Sequence, residues 1–137
     1  MPMIGCVAFV VAISEIARAQ SGLYDAVLLD GTRIASQGDP APGGGAYTLF
    51  DHVQAGGNGD VAFTAGVSGA SATEGLFRVA GGVHSALALS GQAAPSVSGT
   101  YLVFNAVGVN DVGAVAFRSR ILHMLLPDTT ALFVNEG

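Results

Sequence analysis

The residues with the clearest chemical potential in this sequence are acids in glycine-rich turns. Asp39, Asp60 and Asp111 lie where carboxylate oxygens could hold a hard cation such as calcium. Calcium loops collect several oxygen ligands within about a dozen residues, whereas these three acids are 21 and 51 positions apart. Asp in a turn usually hydrogen-bonds its own backbone instead. The spacing therefore predicts no metal-binding residues.

The other reactive side chains form no better constellation. His52, His84 and His123 show no His-x-His or His-x-x-x-His spacing, and the single Cys6 cannot complete a zinc-ligand set. No Gly-x-Ser-x-Gly sequence surrounds a serine, and no two acids stand at equivalent places that would pair them for glycoside hydrolysis. The run at residues 43–45 lacks the lysine of a phosphate-binding loop. We therefore predict no catalytic or cofactor-binding residues and no cofactor.

Composition disfavours a nucleic-acid partner. Ten acids outnumber five arginines, lysine is absent from the sequence, and the net charge is −5. The arginines are also spread along the chain, whereas phosphate contacts need clustered cations. Half of the residues are apolar, 11% are charged and 20 are glycine. That balance is typical of a turn-rich all-β protein.

A short motif, Gly-x-Val-Ala-Phe, occurs three times at a constant interval. Its copies end at Phe9, Phe63 and Phe117, and both steps are 54 positions. Self-similarity at such a period indicates repeated units that stack on one another. The motif positions that we expect to be structural are Gly5, Ala8, Phe9, Gly59, Ala62, Phe63, Asn110, Gly113, Ala116 and Phe117.

All aromatic residues recur at nearly the same interval, with steps of 53 to 56 positions. They fall into four sets of equivalent positions, which are Phe9, Phe63 and Phe117; Tyr24, Phe77 and Phe133; Tyr47 and Tyr101; and Phe50 and Phe104. Each set lies in a short apolar segment bounded by turn residues, which is the signature of a strand. We predict that these aromatic residues build the core between neighbouring units.

Ten antiparallel strands are predicted from the apolar segments and the turns between them. The Gly81-Gly82 and Asp30-Gly31 pairs indicate two-residue hairpins, because residues of these types accept positive φ. Proline-containing segments at 38–45 and 91–98 match each other and are predicted to be surface connections. The expected strands are 6–13, 22–28, 32–37, 46–53, 60–67, 75–80, 83–89, 100–107, 113–121 and 130–135.

These elements predict one repeat domain with units at 1–42, 43–95 and 96–137. A four-stranded antiparallel unit of this length is similar in size to a propeller blade. About two and a half units do not close a ring. We therefore expect incomplete β-propeller-like blades, with an open stacked sheet or a β-sandwich as the alternative.

The apolar run at residues 4–13 has two interpretations. It resembles the apolar part of a secretory signal, but no basic residue precedes it, and it contains the first motif copy. We interpret it as a strand, with a cleaved signal as the alternative. No stretch of the sequence reaches the roughly 20 apolar residues of a transmembrane helix.

The repeat resembles that of bacterial tandem-repeat proteins with an Asn-x-x-Gly-x-x-Ala-Phe motif, which are secreted or surface-anchored by varied C-terminal signals. Asn110, Gly113, Ala116 and Phe117 match all four motif positions, while the second copy has Gly56 and the first has Pro2 in place of the asparagine. The resemblance covers essentially the whole chain. It implies an extracellular or cell-surface location and carries no catalytic residues with it.

Three functions remain open at this point. The first is a non-catalytic structural or binding module that presents loops to a glycan or protein. The second is self-assembly through an apolar segment that departs from the repeat, with Ile121, Leu122, Met124 and Leu125 as the candidate interface. The third is a fragment of a carbohydrate-active enzyme, for which the sequence shows no clustered polar site.

Overall fold

Ten strands make up the regular structure of residues 10–12 and 24–136, which are the residues that the computed structural model describes. They form three antiparallel sheets, ordered β1-β2-β3, β4-β5-β6-β7 and β8-β9-β10. This part of the chain contains no helix that could cross a membrane. The strands are β1 (Val10–Ala12), β2 (Ala26–Leu29), β3 (Thr32–Ser36), β4 (Ala46–Ala55), β5 (Val61–Ser68), β6 (Glu74–Ala80), β7 (Val83–Leu89), β8 (Thr100–Val109), β9 (Val115–Leu122) and β10 (Thr129–Asn135).

The all-β, antiparallel prediction is confirmed, and strands β3 to β10 lie within two residues of their predicted bounds. The prediction for the second strand is wrong at its start, since β2 begins at Ala26 rather than at residue 22. Tyr24 instead pairs with Phe50 of the central sheet, with hydrogen bonds of 2.9 and 2.8 Å between their backbones. Most of the predicted first strand lies outside the described residues, and so do the motif residues Gly5, Ala8 and Phe9.

Both predicted hairpins have the expected turns. Leu29 pairs with Thr32 and Ala80 pairs with Val83, so that two residues form each connection. Asp30 and Gly31 have φ of 50° and 80°, and Gly81 and Gly82 have φ of 58° and 81°. Positive φ at both central residues matches the twist of the flanking strands.

The first and central sheets share one core. Val27 and Ala35 of the first sheet pack with Tyr47, Phe50 and Phe63 of the central sheet. Tyr47 is 1% exposed, and its ring lies 5.0 Å from that of Phe77 in an edge-on arrangement. Burying one such side chain contributes about 1.5–3 kcal/mol. We call this face of the central sheet its front face.

The opposite, or back, face of the central sheet forms a second core with the third sheet. Ala62, Leu76 and Ala88 of the central sheet are 0–1% exposed there. The third sheet contributes residues equivalent to those of the first core, including Tyr101 and Phe133, whose rings lie 5.2 Å apart and again edge-on. The buried residues from the third sheet are Tyr101, Phe104, Val115, Phe117 and Ile121, and Phe133 is one of the partly buried side chains packed against them.

The connections before β4 and β8 also repeat their hydrogen bonds. Gly38 N donates to Tyr47 O and Gly91 N donates to Tyr101 O, both at 2.8 Å. The prediction that these segments lie at the surface is only partly correct, because Ala41 is 7% exposed and belongs to the first core. Each connection thus closes one end of a core as well as linking two sheets.

Candidate functional site

Two motif turns lie against each other at one end of the sheets. Asn110 Oδ1 accepts hydrogen bonds from Val112 N at 3.0 Å and from Ala114 N at 2.9 Å. This is the backbone-capping role expected for an asparagine in a turn. In the preceding turn Asn58 Oδ1 accepts from Asp60 N at 3.0 Å, although Asn58 is two positions after the Gly56 that matches Asn110. The second copy therefore keeps a cap at a shifted position.

Glycine allows these turns to approach closely. A methyl group on Gly57 would lie 2.5 Å from Asp111 Oδ1, and one on Gly113 would lie 2.6 Å from Asp60 Oδ2. Gly113 also has a φ of 87°, which L side chains rarely adopt. Residues 56–60 and 110–114 thus form one polar surface, which we call the turn ridge.

A polar cavity of about 240 Å³ opens on the back face of the central sheet. Glu74 Oε2 accepts a hydrogen bond from Phe104 N at 2.8 Å, which ties the central sheet to the third sheet. Burial raises the pKa of the Glu74 carboxyl; the Phe104 hydrogen bond opposes this effect only in part, and the Asp51 charge adds to it. The cavity is lined by Thr48, Leu49, Asp51, Thr64, Ala65, Gly66 and Glu74.

The structure thus places in one cavity two acids whose proximity was not predicted from the sequence. Asp51 and Glu74 line one cavity although they are 23 positions apart. The half-buried Glu74 carboxyl could hold a proton at a higher pH than an exposed one, which is the property of a general acid. Its Oε2 atom, however, is engaged by a backbone amide. A lone acid at the start of an apolar strand was the one sequence signal for this site.

An apolar groove of about 740 Å³ lies at the other end of β9. One wall is the turn at residues 98–100, and the other is residues 122–126, which we call the apolar loop. Of the candidate interface residues, Ile121 is buried in the second core, whereas Leu122 is 47%, Met124 98% and Leu125 94% exposed. The apolar loop therefore does not cover the end of its own core.

The histidines take separate places. His84 Nδ1 lies 3.0 Å from the Tyr47 hydroxyl, and burial raises the pKa of that phenol. His52 Nε2 lies 3.5 Å from Asp51 Oδ2. His123 belongs to the apolar loop. Across residues 10–12 and 24–136, no three His, Cys, Asp or Glu side chains converge as metal ligands.

These features define an all-β protein of stacked antiparallel sheets, with a polar turn ridge at one end of β9 and an apolar loop at the other. Residues 4–134 match the model of a family of unknown function, DUF7453, and the chain belongs to this family. No curated protein and no solved structure matches the chain.

Proposed function

We propose that this chain is a non-catalytic structural and binding module of a secreted or surface-exposed bacterial protein. The supporting observation is the pair of equivalent cores, in which Tyr47 and Phe77 of one match Tyr101 and Phe133 of the other. Two such cores join three sheets through apolar contacts and leave polar groups at the turns. A stack of this kind holds surface loops at fixed positions.

We also propose that the sheets follow one another as propeller blades do. In support, the central sheet is a four-stranded antiparallel meander, and strand β8 of the next sheet packs across β4, β5 and β6. Propeller blades are four-stranded sheets packed face to face around an axis. An open stack is the alternative arrangement of the same sheets.

The turn ridge is the part of this module that we assign to ligand recognition, and a glycan is the ligand that its chemistry fits. Asn58 and Asp111 are exposed, Asp60 is half-buried, and Val112 beside them is 80% exposed. Amide and carboxylate oxygens accept hydrogen bonds from sugar hydroxyls, and an apolar side chain can pack on a sugar ring. The similarity to Asn-x-x-Gly-x-x-Ala-Phe repeats supports a location outside the cell, where glycans are abundant.

A glycan array of bacterial cell-wall and capsular oligosaccharides tests this function with the full chain. We expect binding that weakens about tenfold or more in the Asp60→Ala/Asp111→Ala variant, since a hydrogen bond to a charged group contributes roughly 1.5–3 kcal/mol. Both asparagine caps remain in that variant, so the turns should keep their shape. The matched control is Asp51→Asn/Glu74→Gln, which alters the polar cavity and leaves the turn ridge intact.

Two results would contradict the proposal. Equal binding by the wild type and the turn-ridge variant would show that the turn ridge does not recognise the glycan. Cleavage of an array glycan, detected by mass spectrometry and lost in the Asp51→Asn/Glu74→Gln variant, would instead identify a carbohydrate-active enzyme centred on the polar cavity.

A further inference from the structure

We infer that the outer edge of β10, the edge that faces away from β9, binds an extended segment of another polypeptide as a fourth strand of the third sheet. Strands β3, β7 and β10 are the last strands of the three sheets, and each lies at a sheet edge. A free strand edge presents unpaired backbone N–H and C=O groups, and extended peptides bind such edges by strand addition. The inference goes beyond the glycan-binding function and does not depend on it.

The outer edges of the first and central sheets carry a protective irregularity that β10 lacks. One extra residue interrupts the pairing of each, Ile34 in β3 and Leu87 in β7, at equivalent positions 53 apart. Such bulges twist an edge strand and disfavour further pairing. Strand β10 instead pairs with β9 without a register shift, and it contains neither proline nor a charged residue. Its edge therefore keeps the regular geometry that a further strand needs.

The central sheet shows what an added strand would cover. Phe77 pairs with Phe63 and Phe133 pairs in the same way with Phe117, so that Phe133 is the equivalent of Phe77. Phe77 is 0% exposed, and Ala86 of β7 lies opposite it and packs against the same core. Phe133 is only partly buried, because the third sheet has no strand beyond β10 in the described part of the chain. A strand with a small apolar residue opposite Phe133 would complete this core.

The core tyrosines differ in a corresponding way. The Tyr47 hydroxyl lies 3.0 Å from Nδ1 of His84, which belongs to β7. No group among residues 10–12 and 24–136 forms a hydrogen bond with the equivalent Tyr101 hydroxyl. A side chain that hydrogen-bonds Tyr101 is thus the second feature that the added strand should have. The sequence of β7, Val83–Leu89, carries both features in the central sheet.

The surroundings of the edge indicate an uncharged, apolar segment. Leu132 is 73% and Val134 63% exposed, and both precede or follow Phe133 directly. Since successive side chains of a strand point to opposite faces, the added strand would contact apolar groups on both faces of β10. A second β10 is disfavoured as the occupant, because each copy carries a net charge of −5 and this strand contains no histidine to reach Tyr101. A segment of the β7 type meets neither obstacle.

The test uses the full chain and a synthetic peptide with the sequence of residues 82–90, which contains β7. We expect saturable binding of the labelled peptide by fluorescence anisotropy, and slower hydrogen exchange of β10 amides in the complex. A peptide with proline in place of Ala86 and Ala88 is the matched control. It should bind about tenfold more weakly or worse, because proline cannot donate a hydrogen bond to a neighbouring strand.

A second comparison tests whether the peptide lies beside Tyr101. The His84→Ala change in the peptide should weaken its binding to the wild-type chain about fivefold, through the lost hydrogen bond to the Tyr101 hydroxyl. The same change should have no effect on binding to the Tyr101→Phe variant, which lacks that hydroxyl. Circular dichroism and a thermal melt verify that this variant is folded.

Four results would overturn the inference. The first is the absence of saturable peptide binding, and the second is equal binding by the proline-containing peptide. The third is an equal effect of His84→Ala on binding to the wild type and to Tyr101→Phe. The fourth is a dimer of the chain alone, detected by size-exclusion chromatography with light scattering, whose β10 amides gain protection on association. That dimer would make a second copy the occupant of the edge.

Discussion

Glu74 shows how one side chain can be held by two opposing effects. Its carboxylate accepts a hydrogen bond from Phe104 N, which favours the charged form, but burial disfavours that form. The pKa is raised, so burial is the larger effect. The link between the central and third sheets is therefore made by a group that is costly to ionise in the folded protein.

Replacing Glu74 with glutamine should reduce the pH dependence of stability. Because the folded pKa lies above the unfolded one, the native state holds this proton more tightly, and stability decreases as the pH rises through that interval. The glutamine side chain would keep an oxygen acceptor for Phe104 N without ionising. Urea unfolding of the wild type and of Glu74→Gln should be compared from about pH 4 to pH 8. The free energy of unfolding of Glu74→Gln should decrease less as the pH rises, and it should equal or exceed that of the wild type at neutral pH. Identical slopes would show that Glu74 has no part in this dependence.

Whether a residue's role was predictable depended on how far along the chain its partners lie. Asn110 caps Val112 and Ala114, two and four positions away, so its role follows from local turn chemistry. Glu74 meets Phe104 across 30 positions, and nothing in the local sequence relates them. Most of the polar cavity could not be predicted for this reason, and the apolar loop was recognised only by its departure from the repeat.

At the scale of the elements, alternating apolar residues and turn types located most strands. Strand β4 departs from strict alternation of buried and exposed residues, and the spacing of its aromatic residues in the sequence reflects this departure. Tyr47 and Phe50 are three positions apart yet both face the core, which strict alternation does not allow. Their partners, Val67 and Ala65, are two positions apart, so β4 carries an extra residue as a β-bulge. The start of β2 was not predictable, because Tyr24 pairs with another sheet.

The β6–β7 hairpin allows a test of its turn at a single position. Gly81 has a φ of 58°, and a methyl group there would meet nothing within 4 Å. A side chain at position 81 would therefore affect stability only through the backbone conformation that the new residue prefers. Gly81→Val should cost about 1–2 kcal/mol, the penalty of the left-handed region for L residues. Gly81→Asn should leave the free energy of unfolding nearly unchanged, since Asn-Gly suits this turn. Equal losses in the two variants, measured by denaturant unfolding, would contradict this account.

At the scale of the whole molecule, the central sheet is covered on both faces. Phe63 of β5 points into the first core and its neighbour Ala62 into the second, and both are 0% exposed. The repeat interval predicted equivalent aromatic residues but not which faces would meet. That arrangement follows from the small residues of the back face, Ala62 and Ala88, which leave room for the rings of the third sheet.

Because one sheet belongs to both cores, damage to either core should appear in one unfolding transition. Phe63→Ala and Phe117→Ala should each lower stability by about 3–5 kcal/mol, the usual cost of truncating a buried phenylalanine. Val83→Ala, at a 67% exposed position, should change it by less than about 0.5 kcal/mol. Calorimetry should show a single shifted transition in each core variant. Two separate transitions in the Phe117→Ala variant would mean that the third sheet unfolds independently.

Strand β5 has a further property that follows from its position. It lies between β4 and β6, and a sheet covers it on either side. Its amide hydrogens are therefore screened from solvent in every direction, and deuterium can replace them only when the entire stack opens. The exchange rate at Ala62 or Phe63 would thus report the global opening of the molecule, while the hairpins and turns exchange through smaller, local openings.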